Sequence, residues 1–317
     1  MRLGRLVFMK RVCLLVVLAA VILIPALSKK PSPFVGRWDL SILTPQGTYP
    51  SWIEVSEANR QAQVRIVGRV SSVHAAVDAR IHGSTLTFAS SEWFGHPIQV
   101  EWKINLEKHG LKGIQQRADG VTGNLSGERA PELDRKAPAA WGEPESLFDG
   151  NDLTGWEPDG PKNFWKAEKG ELVDGGPGAN LRTTKKFEDF KLHIEYNCPD
   201  KGNSGVYLRG RYEVQVEYEP ADANDKFHGM GSLYGFIAPS QELPKRPGEW
   251  ESYDITLVGR HVTVVRDGVS TIDNQEIPGI TGGAIDSKEG DPGPIYLQGD
   301  HTGNMRYRNI RISLPKP

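Results

Sequence analysis

Residues 190–196, Phe-Lys-Leu-His-Ile-Glu-Tyr, alternate apolar and polar side chains without a break. Successive side chains of a β-strand point to opposite faces, so this pattern predicts a strand with one buried and one outward face. Similar strands are predicted at 205–209, 212–218, 252–258, 261–266, 295–298 and 307–313, with a hairpin turn at Asp267-Gly268. None of these segments has the apolar spacing of a helix. The second half of the chain is therefore predicted to be a two-sheet antiparallel sandwich.

Residues 34–128 predict a separate, smaller β-domain. Short apolar segments follow one another about every ten residues, divided by Gly, Asn, Ser or charged residues, which is typical of an antiparallel meander. The meander predicts a small antiparallel β-barrel or half-barrel with Trp38 buried in its core. Residues 129–143 contain two prolines and no periodicity, so they predict a semi-extended linker to a domain spanning 144–317.

The first residues of the chain predict an export signal. Four basic residues occur among the first eleven, and the apolar run 12–27 ends at Ala26-Leu27-Ser28, which offers the small residues that signal peptidase reads. The run is shorter than the roughly 20 residues that span a bilayer as a helix. Residues 1–28 are therefore predicted to be a cleaved signal peptide rather than an anchor, and the mature chain is expected to be secreted or periplasmic, without a stable membrane span.

Charge and cysteine content exclude several function classes. The formal net charge is −2, so the chain lacks the basic excess that neutralises nucleic-acid phosphates, and nucleic acid is not expected as a partner. Signal cleavage would remove Cys13 and leave Cys198 alone, which excludes an intramolecular disulfide and a thiolate zinc site. Cys198 is interpreted as a small buried apolar residue, the alternative being a nucleophile without a nearby His in the sequence.

Three predicted strands of the second domain carry polar side chains of unusual type on one face. The sets that share a face are Asn203, Tyr207 and Arg209; Glu213, Gln215 and Glu217; and Tyr296, Gln298 and Asp300, followed by His301. The short connection 209–211 would make the first two strands hairpin neighbours. Amides, carboxylates and a guanidinium match vicinal hydroxyls, and aromatic rings stack on pyranoses, so this face predicts a sugar-binding surface. The alternative is an ordinary solvated sheet face.

Six motifs in chain order within residues 144–315 resemble the bacterial 3-keto-disaccharide hydrolase domain. The motifs are Ser146–Trp156, Asn203–Gly210, Tyr212–Val216, Gly248–Trp250, Leu297–His301 and Arg308–Arg311. The resemblance implies a concanavalin A-like jelly-roll sandwich with its concave sheet as the binding face. It also implies an activity on glycosides already oxidised at C3 of the sugar. Residues 34–130 resemble, less distinctly, the β-domain that precedes this domain in some members.

A ketone at C3 makes the C2 proton acidic, so a base can remove it and expel the C1 substituent before water adds back. This chemistry needs a base, a group that stabilises the enolate oxygen, and an acid for the leaving group. The candidate catalytic residues are Glu213 and His301, and Arg209 or a divalent cation is expected to hold the enolate. The other expected substrate contacts are Asn203, Tyr207, Gln215, Tyr234, Gln298 and Asp300. His228, in a neighbouring loop, is interpreted as a surface residue, the alternative being a position at the edge of the cleft.

One position departs from the family pattern, and it bears on activity. Members of the family that this chain resembles often carry Asp at or next to Glu217-Tyr218; if that Asp is a metal ligand or an acid, its role has either moved to Glu217 or been lost. No cofactor is predicted beyond the divalent cation, and a carbohydrate is the expected substrate. The alternative to an exported hydrolase is a non-catalytic, lectin-like carbohydrate-binding protein, since the same sandwich serves both. A third hypothesis gives the N-terminal domain an adhesion or scaffold role.

Overall fold

The computed structural model describes residues 31–59, 61–218, 225–299, 301 and 303–316. The predicted signal peptide, residues 1–28, lies outside them. All regular secondary structure in this part of the chain is β, and it contains no helix. No helix long and apolar enough to cross a membrane therefore occurs among the described residues. The predicted all-β fold class is confirmed.

The N-terminal strands form one antiparallel sheet of nine strands within the described residues. The strands are β1 Gly36–Thr44, β2 Gly47–Ala58, β3 Gln61–Val67, β4 His74–Ala75, β5 Val77–His82, β6 Thr85–Trp93, β7 Pro97–Glu107, β8 Gly110–Arg117 and β9 Thr122–Arg129. Their order is β4-β3-β2-β1-β9-β8-β7-β6-β5, and β3 also contacts β5, so the sheet is a nearly closed barrel. Trp38 is buried in its core and donates a hydrogen bond from Nε1 to Phe34 O at 2.8 Å. The predicted meander and barrel-like form are confirmed.

The second half of the chain forms two further sheets. The strands are β10 Glu145–Ser146, β11 Trp156–Asp159, β12 Trp165–Glu168, β13 Glu171–Asp174, β14 Asn180–Thr183, β15 Phe190–Asn197, β16 Asn203–Leu208, β17 Tyr212–Glu217, β18 Trp250–Val258, β19 His261–Arg266, β20 Val269–Glu276, β21 Tyr296–Leu297 and β22 Arg306–Ser313. One sheet has the order β12-β13-β22-β15-β18-β19-β20, with β10 beside β22. The other has the order β11-β14-β21-β16-β17. Every pairing between these described strands is antiparallel.

The sandwich core lies between these two sheets. The four apolar residues of β15 identified by alternation, Phe190, Leu192, Ile194 and Tyr196, are all buried there. The facing sheet contributes apolar residues of β16 and β17, such as Val206 and Val214. Cys198 is buried beside this core, and burial raises the pKa of its thiol to about 12, which agrees with a small packing residue.

The N-terminal sheet packs directly on the sandwich, and both lie in the compact unit Ser32–Pro317. Trp52 of β2 is fully buried in the sandwich core and meets the ring of Phe236 edge-on, with 5.5 Å between ring centroids. Part of the segment predicted as a linker also contacts the sandwich, since Arg260 Nε donates to Pro131 O at 2.8 Å. The contacts between the two β-domains therefore include core packing as well as the connecting segment.

A buried charged cluster joins the same two parts of the fold. Arg260 Nη1 and Tyr212 OH lie 2.7 and 2.6 Å from Glu289 Oε2. Asp39 of β1 faces this carboxylate. Burial, together with repulsion from Glu289, raises the pKa of Asp39 to about 10. Asp39 is therefore held protonated at neutral pH.

Candidate active site

A cleft of about 710 Å³ brings together most of the residues singled out by sequence. Seven of the nine predicted site residues line it: Asn203, Tyr207, Glu213, Gln215, Tyr234, Gln298 and His301. The register of the β16–β17 hairpin explains the grouping, because Tyr207 lies opposite Glu213 and Asn203 lies opposite Glu217. β21 pairs with the other edge of β16, and Gln298 directly follows this strand. The predicted convergence of amide, carboxylate and phenol groups from separate strands is present.

Arg209 is the exception, because it does not line the cleft and the prediction that it contacts substrate is wrong. Regular alternation ends with β16 at Leu208, and Arg209 has a φ of 53°, in the left-handed region. Its side chain is fully buried outside the cleft, where Nη2 donates to Gly259 O at 3.0 Å and to Tyr212 OH at 3.1 Å. Arg209 therefore supports the fold below the hairpin turn. Asp300, the remaining predicted residue, lies outside the described residues.

Glu213 is held in one orientation by its neighbours. It is 2% exposed, and Tyr207 OH donates to its Oε2 at 2.8 Å. The same hydroxyl lies 2.8 Å from Gly282 O. The other oxygen, Oε1, lies over Gly205, where an added Cβ would be only 2.1 Å away. A glycine is thus required at position 205 for this orientation of the carboxylate.

Two amide oxygens in the cleft have no hydrogen-bond partner among the described residues. Gln215 Nε2 donates to Glu217 Oε2 at 2.7 Å, which leaves Gln215 Oε1 buried and unpartnered. Gln298 Oε1 is likewise buried and has no hydrogen-bond partner among the described residues. Buried polar atoms normally have partners, so two such acceptors in one cleft indicate a ligand that donates hydrogen bonds, as sugar hydroxyls do.

The mouth of the cleft carries imidazole and phenol groups. His301 is exposed there, and Tyr234 is half-buried. His228 also lines the cleft; it hydrogen-bonds Asp225 through Nδ1 and packs edge-on against Tyr234, with 4.8 Å between ring centroids. Of the two interpretations of His228, the position at the edge of the cleft is the one that the structure supports. The sequence feature that indicates this position is the glycine-rich loop 229–235, which directly follows His228 and contains the cleft residue Tyr234.

The N-terminal β-domain supplies a wall of the same cleft, which sequence reasoning did not foresee. Arg69 and Ser71 belong to the loop after β3, and Trp93 and Gly95 belong to the β6–β7 hairpin. Nothing in the local pattern of these residues links them to β16 and β17. The link arises from the packing of the two β-domains.

The divalent cation considered above finds no ready ligand set in the described part of the chain. No group of three or more His, Cys, Asp or Glu side chains that could hold a metal ion occurs there. Glu217, at the position that departs from the family pattern, lines the cleft and accepts the hydrogen bond from Gln215.

Comparison with known proteins identifies the family. A family model described as the 3-keto-alpha-glucoside-1,2-lyase-like domain, a 3-keto-disaccharide hydrolase model, matches residues 143–313. A candidate glycosyl hydrolase from Parabacteroides distasonis ATCC 8503, solved at 2.13 Å, is 30% identical over 57% of this chain and 93% of its own, with a TM-score of 0.48.

Two further candidate glycosyl hydrolases of that organism are 20% and 22% identical, each over 54% of this chain and over 93% and 98% of their own, with TM-scores of 0.43. No match was found among curated proteins. Since the family model covers more than half of the chain, the protein belongs to the family of 3-keto-alpha-glucoside-1,2-lyase-like domains and is a carbohydrate-active hydrolase.

Proposed function

We propose that this protein is an exported enzyme that cleaves the glycosidic bond of 3-keto-glycosides in the cleft described above. The observation that carries the proposal is the fixed, buried carboxylate of Glu213 beside two unpartnered amide acceptors. A base held rigidly and acceptors for hydroxyl groups are what C2 deprotonation of a bound keto-sugar requires.

The reaction has two stages. A carboxylate oxygen of Glu213 takes the C2 proton, and the electron pair of the C2–H bond forms an enolate with the C3 ketone. The enolate then returns its electrons to form the C1–C2 double bond, the C1–O bond breaks, and the leaving oxygen takes a proton. Water next adds its oxygen to C1 and a proton returns to C2, so that the net reaction is hydrolysis.

The base, the acid and the contacts to sugar hydroxyls each have a candidate side chain. Glu213 is the base, because Tyr207 and Gly205 fix its carboxylate inside the cleft. His301, which is exposed and lines the cleft, is the candidate acid that gives a proton to the leaving oxygen. Gln215 and Gln298 accept hydrogen bonds from sugar hydroxyls through their unpartnered Oε1 atoms. This division needs no pair of carboxylates flanking the bond, unlike ordinary glycosidases.

The decisive test offers 3-keto-glucosides to the wild type and follows release of the leaving group. Glu213→Gln keeps the size of the side chain and removes the base, so kcat is expected to fall about 10²- to 10⁴-fold. In D₂O, the released sugar should carry deuterium at C2. His301→Ala should slow poor leaving groups more than good ones. Glu195→Gln is the matched control, because Glu195 bonds Arg308 and Asn309 on β22 of the other sheet.

Two outcomes would contradict the proposal. Binding of the keto-sugar without any release by the wild type would indicate the lectin-like alternative. Release without deuterium at C2 would indicate a direct displacement at C1. Export is tested separately by N-terminal sequencing of the protein recovered outside the cytoplasm, where Lys29 is the expected first residue after cleavage of 1–28.

A further inference from the structure

We propose that the N-terminal β-domain completes the active site, and that Trp93 and Arg69 bind the leaving group of the substrate as a second sugar ring. This inference rests on the function proposed for the cleft. It assigns the keto-sugar to the five-stranded sheet, where Glu213 and the unpartnered amides lie, and the leaving group to the opposite wall.

The loop after β3 is fastened to the sandwich by direct backbone contact. Gly283 N donates to Arg69 O at 3.0 Å. An added Cβ on Gly282 would lie 2.6 Å from Ser71 O, and one on Gly235 would lie 2.7 Å from Ser72 Cβ. Such approaches are open only to glycine, so two separate loops of the sandwich are shaped to receive this loop.

The same contacts connect the loop to the catalytic carboxylate. Gly282 O is the atom that lies 2.8 Å from Tyr207 OH, and this hydroxyl donates to Glu213. The next residue, Gly283, carries the hydrogen bond to Arg69. The attachment point of the N-terminal loop is therefore separated from Glu213 by one glycine pair and one tyrosine. Residues of this loop therefore line the same cleft as Glu213.

Trp93 is presented to the cleft by a hairpin that is anchored on both sides. Glu92, the preceding residue, points into the barrel and accepts a hydrogen bond from Ser71 Oγ at 3.2 Å. Phe94, the following residue, packs against Tyr49, with 6.1 Å between ring centroids, and lies 3.8 Å from the Arg117 guanidinium carbon. Trp93 itself remains 49% exposed while lining the cleft. A rigid, half-exposed indole offers a flat apolar face, on which a pyranose ring stacks.

Arg69 adds hydrogen-bond donors to this wall. Its side chain is exposed and lines the cleft, and the planar guanidinium can donate to two neighbouring hydroxyls at once. The opposite sheet supplies acceptors, Gln215 Oε1 and Gln298 Oε1. The cleft volume of about 710 Å³ is in the roughly 300–1,000 Å³ range of pockets that bury drug-sized ligands.

The test compares methyl 3-keto-glucoside with the 3-keto derivatives of maltose and cellobiose. Trp93→Ala should lower kcat/KM for the better disaccharide at least 10-fold and change that for the methyl glycoside less than 2-fold. Trp93→Phe should restore most of the loss, because it keeps an aromatic face. Arg69→Ala should show the same selectivity. Ile114→Ala and Arg80→Ala, exposed residues of the same sheet outside the cleft, are the matched controls.

A second measurement keeps this inference separate from the proposed function. Calorimetry can measure the binding of the same three sugars to the Glu213→Gln variant, and this measurement does not depend on catalysis. Trp93→Ala in that background should weaken disaccharide binding at least 10-fold and leave the methyl glycoside unchanged. If the wild type cleaves nothing but this difference persists, the proposed function fails and the subsite stands. Equal losses for one-ring and two-ring sugars, or no loss for either, would overturn the subsite.

Discussion

Tyr207→Phe removes one oxygen atom and is expected to impair catalysis far more than folding. The ring should stay in place, because it packs edge-on against Tyr296 with 5.2 Å between centroids. The lost hydroxyl contacts two buried acceptors at 2.8 Å, Glu213 Oε2 and Gly282 O. A hydrogen bond to a charged group contributes about 1.5–3 kcal/mol. At about 1.4 kcal/mol per tenfold change in rate, kcat should fall about 10- to 100-fold.

Tyr212→Phe is the matched control for this substitution. Tyr212 lies in the same hairpin, is equally buried, and also bonds a buried carboxylate, Glu289, at 2.6 Å, but it faces away from the cleft. Both variants should lose a similar free energy of unfolding, about 1–3 kcal/mol in urea titrations. Only Tyr207→Phe should lose kcat on a 3-keto-glucoside. Equal kcat for the two variants would refute the positioning role of Tyr207.

Three further predictions concern packing and charge. Gly205→Ala should fold but lose about 100-fold or more in kcat, because its Cβ would displace the carboxylate of Glu213; unchanged kcat would contradict this. Trp52→Ala should cost about 3–5 kcal/mol of unfolding free energy by chemical denaturation, whereas a loss below about 1 kcal/mol would mean that the two β-domains are weakly coupled. Asp39, whose pKa is raised to about 10, keeps its proton in the folded state while the unfolded chain loses it, so stability should fall as pH rises from about 4 to 10. Asp39→Asn should reduce the dependence of unfolding free energy on pH between about 4 and 10, and an unchanged slope would contradict the raised pKa of Asp39.

The fold and one wall of the site follow from patterns within single strands. Alternation at 190–196 predicted which residues of β15 are buried, and alternation at 203–217 predicted which residues of the hairpin share the cleft. Both predictions depend only on the period of two in a strand. They hold as far as each strand extends.

The failures occur where that period stops or where distant segments meet. Strict alternation along the strand predicts that Arg209 shares the face of Tyr207. Arg209 itself has a left-handed backbone conformation at the turn, so the alternation ends there and its side chain bonds Gly259 O instead. Trp93 is exposed on the outward face of β6, so the pattern of β6 does not indicate that this side chain lines a cleft with residues of the sandwich. Gly282 and Gly283 resemble an ordinary loop in the sequence. Their role as a seat for Arg69 depends on the packing of two domains, which local patterns do not encode.

The packing of Trp52 into the sandwich core has a practical consequence for work on this protein. The matched segment, 143–313, contains Glu213 but does not include Trp52, Arg69 and Trp93. Expressed alone, this segment would expose to water the apolar surface at Phe236 that Trp52 covers in the whole protein. Exposed apolar patches of this kind favour self-association. An inactive excised segment would then be mistaken for an inactive enzyme.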